Sequence, residues 1–134
     1  MNKHRLMVVV IFLGACASND EEEQERVAAI DDFIAVSDLE EVASIRSYQQ
    51  FEQEVINERY VIVYTRKEKY LLAYEQRCHI IYNMPRRPDR RADPYAIYAD
   101  TDTFRGCHIR ALYTITEAQA AELMEIGVAP GERR

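Results

Sequence analysis

RYVIVYT at 59–65 and KYLLAYE at 69–75 constrain this chain more than any other segment. Both runs are rich in β-branched and aromatic side chains, which suit a pleated, half-buried backbone, and they flank the charged turn RKEK. Two such runs a few residues apart read as an antiparallel hairpin. No Asn-Gly or Asp-Gly marks the turn, so the sequence leaves the register open. A chain of 134 residues supports one domain with a modest core around such a hairpin.

The first sixteen residues bear on the compartment. MNKHRLMVVVIFLGAC has a basic head (Lys3, His4, Arg5), an apolar run from Leu6 to Leu13 and small residues before Cys16. This is the layout of a secretory signal peptide over residues 1–15, and the run is far too short to cross ~30 Å of hydrocarbon. The bland alternative is a buried N-terminal strand or a short anchor. The four residues LGAC resemble the cleavage box of bacterial lipoproteins, in which the cysteine is acylated and becomes the new first residue. That resemblance implies palmitate-type acylation of Cys16 and a membrane tether that spans nothing. At ~0.8 kcal/mol per buried methylene, more than one chain anchors stably. Ala17 in place of an aspartate implies sorting to the periplasmic face of the outer membrane.

The formal net charge is −6, and loss of Lys3 and Arg5 with the leader makes the mature chain more acidic still. Nucleic-acid binders usually present a basic face, so this balance argues against nucleic acid as a partner. Three cysteines is an odd count, but a lipid on Cys16 leaves the even pair Cys78 and Cys107. In an oxidising periplasm such a pair most often forms a disulfide.

Residues 16–26, which include the strongly acidic run ASNDEEEQE, read as a disordered tether, and ordered structure is expected over 27–131. VAAIDDFIAV fits a short strand or a turn of helix. Ser37 and Glu40 have the spacing of a capping box, which predicts a helix over about 38–45. CHIIYN at 78–83 extends the second strand or forms a third, and MPRRPDRRADP at 84–94 reads as an exposed loop. YAIYADTDTF and CHIRALYTI read as two further strands joined at Arg105-Gly106. TEAQAAELMEIG predicts a helix with Thr116 as N-cap, Gln119 as its box partner, Ile115 stapled to Ala120 and Gly127 as a left-handed stop. Four glycines in the whole chain leave little material for a phosphate-binding loop.

RCHIIY at 77–82 and GCHIRALY at 106–113 each place a cysteine directly before a histidine. Three readings compete for Cys78, His79, Cys107 and His108: a disulfide, a redox thiol pair and a metal site. Zinc sites usually separate their cysteines by two to four residues, and adjacent strand residues point to opposite faces, which disfavours four converging ligands. Redox pairs usually keep their thiols close in sequence. A disulfide closing a loop of about 30 residues would contribute roughly 3–4 kcal/mol.

The cluster Arg86, Arg87, Arg90 and Arg91 is the best binding candidate, because guanidinium forks match phosphates and carboxylates. Its bland alternative is a solvated loop that neutralises Asp89, Asp93, Asp100 and Asp102. Asp100 and Asp102 would share one strand face, yet lack the further ligands or cleft that calcium or acid–base chemistry needs. Tyr60, Tyr64, Tyr70 and Tyr74 recur at even spacing, as a core edge or, alternatively, a carbohydrate platform. Ser37, Ser44 and Ser47 lie in no nucleophile elbow, and no catalytic residue, metal ligand or cofactor is assigned.

DDFIAVSDLEEVASIR at 31–46, RYVIVYTRKEKYLLAYEQRC at 59–78 and DTFRGCHIRALYTITEAQAAELMEIGVAPG at 102–131 resemble a group of small gram-negative envelope lipoproteins that carry a domain of unknown function. The resemblance covers about residues 31–131. It implies location and fold, supplies no catalytic residues to carry over, and marks Cys78 and Cys107 as a disulfide. The expectation is a single α+β domain, a small antiparallel β-sheet with one or two packed helices and a single disulfide. It would be a lipid-anchored, non-enzymatic envelope module that binds an anionic envelope component or assists an envelope protein. The alternative is a cell-wall or thiol-related enzyme.

Overall fold

Burial on both faces explains why the central hairpin is so apolar. In the computed structural model, which describes residues 19–79 and 91–132, strand β4 (Tyr60–Tyr64) pairs antiparallel with β5 (Lys69–Tyr74). The pairing runs from Tyr60 opposite Ala73 to Tyr64 opposite Lys69. The expected leader over residues 1–15, Cys16 and the loop arginines Arg86, Arg87 and Arg90 lie outside the described residues.

In chain order the other elements are α1 (Asn19–Val36), β1 (Glu41–Val42), β2 (Ser44–Arg46), β3 (Glu52–Val55), β6 (Ala96–Tyr98), β7 (Thr103–Phe104), β8 (Cys107–Ile115) and α2 (Glu117–Gly127). The main sheet runs β1-β8-β5-β4-β3, with β7 added to β8, and every neighbour is antiparallel. β2 and β6 form a separate two-stranded sheet. The protein is therefore α+β, as its sequence predicts, and it carries the disulfide Cys78–Cys107.

Two cores flank the sheet. Ile62, Leu71, Ala73, Ala111 and Ile115 meet Ile30 of α1 and Ala120 and Leu123 of α2 on one side. Val61, Val63, Leu72 and Leu112 meet Ile45 of β2, Ile97 of β6 and Phe104 of β7 on the other. The period-2 alternation of strand side chains divides the residues between the two.

One irregularity breaks that alternation. Ala73 faces Ala111 but Tyr74 faces Ile109, so Arg110 is an extra residue in β8, a β-bulge. Ile109 and Leu112 consequently share the outer core despite their odd spacing, while Arg110 turns to the helix side.

Three local expectations are corrected. Residues 19–26 are not a disordered tether but the first turns of α1: Arg26 pairs with Glu22 at 4.0 Å and Glu23 at 3.2 Å, and Glu23 accepts the amide of Glu58 at 3.3 Å. Acidic residues at a helix N-terminus also interact favourably with its dipole. Residues 38–45 form no helix. Asp38 adopts a left-handed φ of 48° where α1 ends, and the following residues are recruited as β1 and β2, with Val42 opposite Leu112 and Ile45 opposite Ile97. Gly127 is not a left-handed stop. It ends α2 where a Cβ would lie 2.2 Å from Ile56 Cγ2 and 2.7 Å from Ile30 Cδ1, so glycine is required there by close packing.

YAIYADTDTF is a fourth correction: it is not one strand but turns at Asp100 and divides into β6 and β7, which pair in different sheets. The expected strand at 78–83 and loop at 84–94 lie outside the described residues over 80–90. The α2 cap and the turn before β8 hold. Thr116 caps α2, accepting the Gln119 amide at 3.1 Å while Gln119 Oε1 accepts the Thr116 amide at 2.9 Å. Arg105 and Gly106 join β7 to β8 with φ of 54° and 83°, the two positive values of a type I′ hairpin turn.

Candidate functional site

The tight Arg105-Gly106 turn delivers Cys107 to the start of β8, opposite the chain leaving β5. There the Cys78 amide donates to the Glu58 carbonyl at 2.7 Å, and Cys78 is 2% exposed. The two cysteines, 29 positions apart, form a disulfide with a Cα–Cα distance of 5.8 Å. Their histidine neighbours do not converge: exposed His79 places Nδ1 3.2 Å from Glu58, and His108 sits opposite Thr103 on the β7–β8 ladder. Among the described residues no three His, Cys, Asp or Glu side chains gather as a metal site.

Of the four loop arginines, Arg91 is described, and its guanidinium lies over the Phe104 ring at 5.7 Å. Asp93 accepts the Tyr95 amide at 2.9 Å and pairs with Arg46 at 2.8 Å. These contacts, the backbone hydrogen bond foremost, hold its carboxyl below the usual carboxylate range. Asp100 and Asp102 do not share a strand face, because the chain turns there. Asp100 has a φ of 67°, and buried Asp102 accepts the Tyr98 amide at 2.8 Å. Asp102 therefore fixes a turn, and neither aspartate lines the two clefts described below.

The four evenly spaced tyrosines divide between both faces of the sheet, and Tyr60, Tyr70 and Tyr74 are buried. A different set is presented to solvent. Tyr48, Tyr95 and Tyr98 are 98%, 48% and 41% exposed, around the small β2–β6 sheet. The Ser47 amide donates to the Tyr95 carbonyl at 2.8 Å, continuing that ladder past Arg46, and Arg46 reaches the Tyr98 hydroxyl at 3.4 Å. Exposed tyrosines beside arginine are the usual anchors of an interaction surface.

On the helix side the bulge at Arg110 builds a second cluster that sequence patterning missed. The Tyr60 hydroxyl donates to the Asp31 carboxylate, and Arg110 Nη2 donates to the Tyr60 oxygen at 3.3 Å and lies 3.9 Å from Asp31. Burial first, then the contact with Asp31, raises the Tyr60 pKa above its ordinary value, and Arg110 partly opposes the rise. The cluster opens into a cleft of about 390 Å³ lined by Asp31, Ile34, Glu41, Arg110, Ala111 and Tyr113. Burial, then Glu41, raises the Tyr113 pKa as well. The available sequence signal was the spacing of apolar residues in CHIRALYTI, where Ile109 and Leu112 cannot share a face unless a residue between them is extra.

A larger groove of about 1080 Å³ runs between the N-terminal half of α1, the β3–β4 turn and the end of α2. Its charged walls pair internally: Arg77 meets Glu58 at 2.6 Å and Asp20 at 3.4 Å.

No curated protein and no solved structure matches the chain. A family model does match it, over residues 1–86, and the chain belongs to that family of unknown function, DUF6491. The matched segment includes residues 1–15, Cys16, the central hairpin and Cys78, and stops before Cys107.

Proposed function

We propose that this member of DUF6491 is a lipid-anchored envelope protein, acylated at Cys16 and held at the periplasmic face of the outer membrane. The observation that carries the reading is the Cys78–Cys107 disulfide in a chain whose only other cysteine closes the box LGAC. Structural disulfides persist in oxidising compartments, and the pairing leaves Cys16 as the odd thiol at the point where the leader ends. The family match begins within the leader, so the basic head and apolar run belong to the matched pattern.

In this reading the domain is a non-enzymatic binding or accessory module. Its contact surface is the outer layer, where Arg46, Tyr48, Tyr95 and Tyr98 are presented, together with Arg86, Arg87, Arg90 and Arg91 of the segment that precedes Tyr95 in the sequence. Arginine forks recognise phosphate and carboxylate, and tyrosine adds amphipathic area, so the partner is an anionic envelope component or an envelope protein.

An intact mass of the full chain, extracted from the membranes of a gram-negative host without reductant, tests the anchor. The expected mass lacks residues 1–15, gains several acyl chains and is two hydrogens short. An unprocessed mass with free thiols overturns the reading.

A further inference from the structure

The cleft between α1 and the β1–β8 edge holds a set of charges that packing does not require. Regular alternation would send Arg110 to the outer face with Leu112, and an unpaired bulge residue turns it toward the helices instead. There its contacts with Tyr60 and Asp31 both run through Nη2, and its side chain, 43% exposed, lines the cleft. Glu41 comes in from β1, opposite Tyr113, and Ile34 and Ala111 supply an apolar floor. A few convergent polar groups over apolar walls, in a volume of about 390 Å³, are the makings of a small-ligand site.

The mixture of signs selects the ligand. Asp31 and Glu41 repel a simple anion, and Arg110 repels a metal ion or an organic cation. A molecule with both charges satisfies all three. We infer that this cleft binds a small zwitterion of the amino-acid or dipeptide class. Its carboxylate pairs with the Arg110 fork, its ammonium lies between Asp31 and Glu41, and its side chain rests on Ile34 and Tyr113. The Arg110–Asp31 pair, 3.9 Å apart and half exposed, is weak enough to be exchanged for ligand contacts. The inference needs neither the lipid anchor nor the outer-layer surface.

Calorimetric titration of the full, oxidised chain with the dipeptide Ala-Leu, its N-acetyl form and its C-terminal amide tests it. The free dipeptide binds, and either cap weakens binding roughly tenfold or more, because each removes one charge-assisted contact. Arg110→Gln removes binding. Glu41→Gln weakens the free dipeptide and leaves the N-acetyl form unchanged, an arm that stands even if Arg110→Gln fails to fold. No heat at millimolar dipeptide, equal affinity for free and capped forms, or wild-type affinity in folded Arg110→Gln each overturns the assignment.

Discussion

The two faces of the main sheet are covered in different ways, and the difference shows what a small domain needs beyond apolar area. On the inner side, helices of 18 and 11 residues lay Ile30 and Leu123 onto Ile62 and Leu71, and among the described residues no disulfide joins helix to sheet. On the outer side, Val61, Leu72 and Leu112 are covered by β2, β6 and β7, none longer than three residues. Two-stranded sheets of that length are marginal alone. The outer layer is instead closed by Cys78–Cys107, which pins both ends of the segment that carries β6 and β7. Packing holds one face, and packing with a cross-link holds the other.

Cutting the cross-link breaks the comparison most sharply. Cys107→Ser should cost about 3–4 kcal/mol in oxidising buffer and hardly anything under reductant. Hydrogen exchange should then accelerate at Ile45 and Ile97 while α2 and β4 keep their protection. An equal loss in both buffers would assign the outer layer's stability to packing alone.

The inner face should show the reverse dependence. Gly127→Ala places a methyl into Ile56 and Ile30 and should cost about 1–3 kcal/mol by chemical denaturation, the same with or without reductant. An unchanged midpoint would mean that the approach of α2 to α1 is not close. Thr116→Ala removes the α2 cap and should cost about 1 kcal/mol, again independent of redox state.

The smallest effect is on alkaline stability. The folded Tyr60 pKa lies above the ordinary value of 10.0, so the unfolded chain releases that proton first. Its contribution is complete below pH 10 and is lost as pH climbs toward the folded value. Above pH 10 the urea midpoint of the wild type should therefore fall more steeply than that of Tyr60→Phe. Parallel slopes would sink the assignment of Tyr60 to a buried, carboxylate-paired position.

What was legible from sequence alone was local or doubly determined. The β4–β5 hairpin followed from continuous apolar runs, α2 from a capping box closed by its own residues, and the Arg105-Gly106 turn from the change between two strand patterns. What misled was decided by distant partners. Ser37 and Glu40 have cap spacing, but strand pairing with Leu112 and Ile97 overrides it. Gly127 looks like a helix stop, yet Ile56 and Ile30, far away in sequence, are what forbid a side chain there. The short edge strand β3, reading EQEV, carries no apolar alternation and went unseen. The Asp31–Tyr60–Arg110 cluster depends on one extra residue in β8, and the spacing of apolar residues shows such an insertion only once the two faces are known.

Helix α1 begins at Asn19, three residues beyond Cys16. Three residues reach about 10 Å at full extension. With Cys16 acylated as proposed, the domain stands on the bilayer like a foot and has no length of chain on which to drift. Its search is then two-dimensional: it meets whatever diffuses in or directly above the same leaflet, at the high effective concentration that a short tether imposes, and it cannot sample the far side of the periplasm.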